Sequence, residues 1–139
     1  MDFFNLTGKT ALVTGGNGGL GLGMAQGLAN YGCEVILVGR NEKKLTDSVA
    51  LINENHQGKA HQLLADVNLY EDLERIVYEG IKITGTIDIL VNNAGISIRK
   101  QPQDLSDDDW DQVLNTNLKS VFRLSKLMYS HFETIGHGK

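Results

Sequence analysis

The 139-residue sequence predicts an α/β fold, a doubly wound parallel sheet. Three observations carry that prediction. Short apolar runs rich in β-branched residues alternate with stretches of helical period, four of each. Seven of the 16 glycines fall between Gly15 and Gly27, and the cluster opens directly after the first strand-like run. A single proline and the absence of repeats, low-complexity tracts or linker-like stretches make residues 1–139 one structural unit. Strands that alternate with covering helices form a parallel sheet, and right-handed crossovers place helices on both of its faces.

The elements run in order along the chain. Thr10 to Thr14 is a short apolar strand ending in glycine. Leu20 to Tyr31 is a helix with Leu20, Met24, Ala25 and Leu28 expected inward. Glu34 to Val38 is the second strand. Glu42 to Glu54 is a helix with Leu45, Val49 and Ile52 on one side. Ala60 to Asp66 is a weaker third strand, and Tyr70 to Ile83 a helix with Leu73, Ile76, Val77 and Ile81 inward. Ile87 to Val91 is the fourth strand. Ser106 to Phe132 is a long helix, its start marked by Ser106 with Asp109 three residues on and by three aspartates that complement the helix dipole. Its apolar stripe is expected to be Trp110, Val113, Leu114, Val121, Leu124 and Met128, with Phe122 and Leu118 flanking.

Composition narrows the function. Thirteen basic residues against 17 acidic ones give a net charge of -4, which argues against nucleic acid as a main partner. Apolar residues are 41% and charged residues 22%, a folded rather than disordered balance. No apolar run approaches the roughly 18 residues of a spanning helix, and Met1 to Lys9 shows no secretory pattern, so no membrane partner is expected. The lone Cys33 permits no internal disulfide and reads as a small core residue. The four histidines show no ligand spacing, so no metal is expected, and a reducing, cytoplasmic setting fits best.

The loop Thr14-Gly15-Gly16-Asn17-Gly18-Gly19-Leu20-Gly21 sits between the first strand and the first helix. A parallel α/β sheet binds nucleotides there. A diphosphate must approach backbone N–H groups without meeting a Cβ, and the helix N-terminus adds partial positive charge. Two frames coexist: Gly16, Gly18 and Gly21 satisfy G-x-G-x-x-G, while Gly15, Gly19 and Gly21 satisfy G-x-x-x-G-x-G behind a threonine. Both point to a Rossmann-like dinucleotide site.

The second strand bears on which dinucleotide. An NAD site places a carboxylate near that strand's end to hold the ribose 2′-hydroxyl. This chain has Gly39-Arg40-Asn41 instead. The planar fork of Arg40 suits a 2′-phosphate, so NADP is expected, with NAD the alternative.

At this point the residues carry a resemblance. Thr14-Gly15-x-x-x-Gly19-x-Gly21 resembles the glycine loop of the short-chain dehydrogenase/reductases. Asn92-Asn93-Ala94-Gly95, directly after the fourth strand, is similar to that family's second signature. Asp66-Val67 resembles its adenine-contacting pair, and Asn115-Thr116-Asn117-Leu118 the segment holding its active-site Asn. The four motifs stand in the family's order over the whole chain and in the branch that bears NNAG. The resemblance implies that Thr14, Gly15, Asn17, Gly18, Gly19, Leu20, Gly21, Arg40, Asp66, Val67, Asn93, Ala94 and Gly95 form the cofactor site. It also implies that Asn117 belongs to the catalytic group, holding a water that links a catalytic Lys to solvent. Read from the residues alone, Asn117 falls on the apolar stripe, where a buried amide needs a partner. Either a backbone bond or a site would supply one.

The chemistry of this family uses a Ser and a Tyr-x-x-x-Lys pair that come after the Asn-bearing helix. The one Tyr-x-x-x-Lys here, Tyr78 to Lys82, precedes Asn92 and reads as part of a solvated helix face. The nearly uninterrupted apolar run of Ile87, Ile89, Leu90 and Val91 belongs inside a sheet. With strand order 3-2-1-4 it would instead be an exposed edge. A fifth strand is therefore expected after the long helix. The chain reads as truncated after the fourth β-α unit, inactive alone, with its catalytic part absent.

The expected function is NAD(P)-dependent hydride transfer on a carbonyl or secondary alcohol of a small-molecule substrate. Asn117 to Phe122 and the opening Phe4 to Lys9 resemble sugar-acid dehydrogenases of the gluconate 5-dehydrogenase and 2-deoxygluconate 3-dehydrogenase kind. The alternatives are a 3-oxoacyl-carrier-protein reductase and a non-catalytic NAD(P)-binding module. The resemblance also implies a homo-oligomer that pairs the long helix with its copy. Arg99 and Lys100 are either an anion-facing pair or a solvated one.

Overall fold

A computed structural model describes residues 4–139. Four parallel strands form one sheet in the order β3-β2-β1-β4: β1 (Thr10–Thr14), β2 (Glu34–Gly39), β3 (Ala60–Leu64) and β4 (Ile89–Val91). The crossovers carry α1 (Gly19–Asn30), α2 (Glu42–Asn55) and α3 (Tyr70–Thr84). After β4 come a short 3₁₀ turn at Pro102–Asp104, α4 (Asp107–Leu114), a π-helical turn over Asn115–Lys119, and α5 (Ser120–Ile135). The expected doubly wound sheet and its strand order are present.

Strand alternation divides the core in two. On one face Leu12, Ile36, Val38 and Leu63 pack with Leu73 and Ile76 of α3 and with Leu124 and Met128 of α5. On the other, Ala11, Val13, Val35 and Leu37 pack with Ala25 and Ala29 of α1 and with Leu45 and Ile52 of α2. Full burial of one such Leu or Ile contributes about 1.5–3 kcal/mol. Every residue of β1 is buried, as a central strand requires.

Three expectations change. Helix α1 buries Gly21, Ala25 and Ala29, while Leu20 is 78% exposed and Met24 also faces outward. Small residues let this helix lie close to the glycine turn. The long helix is interrupted by the π turn, where a wider i→i+5 loop inserts a residue and rotates the helix beyond it. Its buried line therefore runs Asp109, Thr116, Ser120, Leu124 and Met128, and Trp110 and Leu114 fall outside. The pairing of β4 begins at Ile89 rather than Ile87, whose N–H donates to His131 Nε2 at 3.1 Å.

Helix boundaries obey the caps. Ser106 and Asp109 form the expected reciprocal capping box at the start of α4. Gly85 and Gly136 close α3 and α5 in the left-handed conformation. On the outer edge of β4, Lys139 N–H donates to Asp88 O at 3.1 Å and Leu90 N–H donates to Lys139 O at 2.8 Å, one rung of parallel pairing.

Candidate functional site

In the turn after β1, Gly15 and Gly21 cannot be replaced without conflict. Gly15 has φ +65° and Gly19 φ +52°. A Cβ on Gly15 would stand 2.9 Å from Asn93 Nδ2, and one on Gly21 would overlap the Gly15 carbonyl and the same amide. Gly18 and Gly19 are different: a Cβ on either would meet no atom within 4 Å. No side chain caps α1. The first-turn N–H groups of that helix therefore have no side-chain partner, the arrangement that receives an anion at a helix N-terminus.

Thr14 locks this turn to the loop after β4. Its hydroxyl accepts from Asn93 N–H at 3.1 Å and Ala94 N–H at 3.0 Å, and donates to Val91 O at 3.4 Å. Asn93 returns its side-chain amide to the carbonyls of Thr14 and Gly15, at 3.2 and 3.3 Å. The two motifs thus hold each other at the carboxyl ends of neighbouring strands, where open α/β sheets bind ligands.

Between these turns and the ends of β2 and β3 lies a cleft of about 480 Å³, in the size range of small-molecule sites. Ten of the expected residues line it: Gly15, Asn17, Gly18, Gly19, Arg40, Asp66, Val67, Asn93, Ala94 and Gly95. Thr14, Leu20 and Gly21 do not. Thr14 and Gly21 lie buried beneath the turn, and the Leu20 side chain points away. Asn17 packs its amide over Gly39, where a Cβ would come within 2.8 Å of it. Arg40 Nη1 and Asp66 Oδ2 stand 3.7 Å apart, while Asp66 Oδ1 accepts from the backbone and side chain of Asn68 at 2.9 and 3.1 Å.

The cleft also contains residues that sequence reasoning missed: Asn41, Lys44, Asn68, Ile96 and Thr116. Lys44 had a readable signal, since Asn41 caps α2 by accepting from Lys44 N–H at 2.9 Å, which fixes Lys44 in the first turn beside Arg40. Ile96 and Thr116 had none. They reach the cleft through the π turn and the loop after β4.

Asn117 lies outside the cleft lining and is exposed rather than buried. Its carboxamide forms a two-point clamp on Ile96, accepting from its N–H at 2.8 Å and donating to its carbonyl at 2.9 Å. Of the two readings open to it, the geometry displays the backbone partner. The π turn places that side chain opposite the loop after β4.

The other candidates separate clearly. Tyr78 is 70% exposed on α3 and lines no part of the cleft. Lys100 pairs with Asp109 at 2.7 Å, and Arg99 is exposed. Burial, and then the negative charge of Asp88, push the Cys33 thiol up to about 11, which removes it as a nucleophile. Among the described residues no group of three or more His, Cys, Asp or Glu could hold a metal ion, and no helix is long and apolar enough to cross a membrane.

The residues fit a dinucleotide. Open glycine backbone at a helix N-terminus suits a diphosphate, small residues at Ala94 and Gly95 admit a flat ring, and Arg40 and Lys44 offer charge at the far end. Known proteins agree with this geometry. A 2-dehydro-3-deoxy-D-gluconate 5-dehydrogenase of Dickeya dadantii is 40% identical over 139 residues, which cover 99% of this chain and 53% of that protein. Among solved structures, an NAD+-bound xylitol dehydrogenase is 32% identical with a TM-score of 0.90, matching 96% of this chain and 51% of its own. An L-sorbose reductase from Gluconobacter frateurii, complexed with NADPH and L-sorbose, is 27% identical with a TM-score of 0.89, matching 98% and 51%. The chain spans about half the length of the curated relatives it matches. The family model for short chain dehydrogenase matches residues 9–139. This chain belongs to the short-chain dehydrogenase family of oxidoreductases.

Proposed function

We propose that residues 1–139 are the cofactor-binding domain of an NADP(H)-dependent oxidoreductase that interconverts a carbonyl and a secondary alcohol on a sugar acid or similar small polar ketone. One observation carries this reading. The glycine turn, Arg40 and the Asn93 loop meet in a single cleft at the carboxyl ends of the strands. The cofactor supplies hydride transfer. The chain supplies position. N–H groups at the start of α1 hold the diphosphate, and Asp66 and Val67 bound the adenine end. Arg40, with Lys44 beside it, meets the 2′-phosphate, and Asn93 to Gly95 seat the nicotinamide half. Asn117 is a positioning residue that fixes Ile96 at the edge of the same cleft.

The sugar-acid substrate class rests on the Dickeya relative, and the small polar ketone on the L-sorbose of the sorbose reductase. A homo-oligomer is proposed from the exposed apolar line of Trp110, Leu118 and Phe122, each more than 60% exposed, which a second copy would cover. A reducing cytoplasmic setting is proposed from the buried, unpaired Cys33.

The test is calorimetric titration of the 139-residue chain with NADPH and NADH, followed by a turnover assay with 2-keto and 5-keto sugar acids. Binding of NADPH in preference to NADH, without turnover, is expected. Absence of binding to either would end the cofactor reading. Turnover by this chain would show that residues 1–139 carry a proton-transfer group that the cleft lining does not reveal.

A further inference from the structure

A second cleft, of about 650 Å³, opens beside the first and shares Arg40, Val67, Asn68, Ile96 and Thr116 with it. It lies between the β3–α3 connection, the π turn and the start of α5. Its charged lining side chains are Arg40, Lys119 and Arg123, and no carboxylate lines it. That is contrary to the balance of the chain, which has 17 acidic and 13 basic residues.

Among the described residues, Lys119 and Arg123 take part in no ion pair. Arg123 is held with its guanidinium carbon 5.6 Å from the Tyr70 ring centre, which orients the head without neutralising it. Gln112 and Asn115 stand on the same wall, so amide donors accompany the cations. Lys119 and Arg123, without a counter-charge, line one cleft with Arg40, whose only carboxylate contact among the described residues is the long one to Asp66, and together they create a positive potential that a compact dianion relieves.

We propose that this cleft is a second anion site for a phosphate-class dianion, and that its occupant competes with the cofactor's 2′-phosphate for Arg40. Only the competition rests on the cofactor reading; the anion site stands on Lys119 and Arg123. Arg40 has a single fork, and it lines both clefts. Because it is shared, phosphate should weaken NADPH binding and leave NADH binding untouched.

The probe is inorganic phosphate, titrated at constant ionic strength into the ¹⁵N-labelled chain. Saturable shifts are expected at the amides of Asn115 to Arg123 and at the Arg40 and Arg123 side-chain N–H groups. Lys119→Ala and Arg123→Gln together should abolish them, and Arg123→Lys should keep them. Lys119→Ala alone, at an exposed position, should weaken phosphate about fivefold. In NADPH titrations, phosphate should raise the apparent Kd several-fold in the wild type and not in the double variant. Shifts that are absent, that survive in the double variant, or that are confined to Gly15 to Gly19 would overturn the site. If NADPH fails to bind at all, the cofactor reading falls alone and the phosphate shifts still decide this one.

Discussion

Arg40 Nη1 faces Asp66 Oδ2 at 3.7 Å across the mouth of the cleft. The partners lie one and two residues beyond the ends of parallel strands β2 and β3, whose register sets Gly39 beside Leu64. The Arg40 side chain is 64% exposed, so the pair is screened and adds at most about 1 kcal/mol to stability. Its interest lies in binding, because a 2′-phosphate would offer Arg40 a stronger, two-point partner than the single long contact to Asp66.

Replacing Arg40→Asp should therefore separate stability from specificity. The melting temperature should stay within about 2 °C, as expected of a surface substitution. Affinity for 2′,5′-ADP should fall about tenfold to a hundredfold, the worth of hydrogen bonds to a charged group. Preference should move from NADPH toward NADH. An unchanged preference would assign the 2′-phosphate to other residues, Lys44 first among them.

The glycines of the turn divide into two kinds, and substitution should tell them apart. Gly21→Ala puts a Cβ into the Gly15 carbonyl and the Asn93 amide. It should cost about 1–3 kcal/mol by overpacking, seen as a lower melting temperature. Gly18→Ala meets nothing within 4 Å, and its φ of 170° suits any residue. It should leave the fold intact and weaken nucleotide binding, because its methyl occupies the space open to the diphosphate. Equal melting temperatures for the two variants would contradict the close packing of Gly21 against the turn.

Legibility tracked how locally each feature is encoded. The strand-helix alternation, the capping box at Ser106 and Asp109, and the glycine turn are set by neighbours within a few residues, and the sequence displays all of them. The π turn is not local in this sense. Within it Thr116 is buried with its hydroxyl donating to Asn68 Oδ1, 48 residues away, and the inserted residue shifts the helical period, so an uninterrupted one misplaced Trp110, Leu114 and Asn117. Leu20 misled for the opposite reason. Helix α1 must lie so close to the turn that only glycine and alanine fit beneath it, and the large apolar side chains are turned out. Periodicity reports which residues are apolar, whereas the packing distance decides which of them go inside.

Thr14 matched the glycine-loop motif, but the structure gives it a partner inside the protein. Thr14→Val keeps its volume and removes an acceptor for two N–H groups, those of Asn93 and Ala94. Each N–H left unsatisfied costs about 1–3 kcal/mol where water cannot reach it. Asn93 N–H keeps its second acceptor, Val91 O at 3.1 Å, so Ala94 N–H is the one left without a partner. A loss of about 1–3 kcal/mol is expected by urea unfolding, with Thr14→Ser restoring most of it. Nucleotide affinity should fall with it, because the loop that seats Ala94 and Gly95 loses its anchor. A neutral Thr14→Val would show that Asn93 alone holds the two turns together.

The start of α4 carries a pH dependence whose sign is fixed by geometry. Asp109 accepts from Lys100 Nζ at 2.7 Å and from Ser106 N–H at 3.0 Å. The Lys100 bond first, and the Ser106 N–H next, hold its carboxyl down at about 2. An unfolded aspartate titrates near 3.9, so the folded form binds its proton less readily. The stabilisation is therefore complete above about pH 4 and is lost as pH falls toward about 2, when the unfolded state takes up the proton first. Asp109→Asn removes this contribution while keeping the shape of the cap. Wild type should be the more stable protein at neutral pH, and the two should converge as acid unfolding is tracked down to about pH 2. A constant gap between the two curves across that window would mean that packing, not the charge on Asp109, holds the start of the helix.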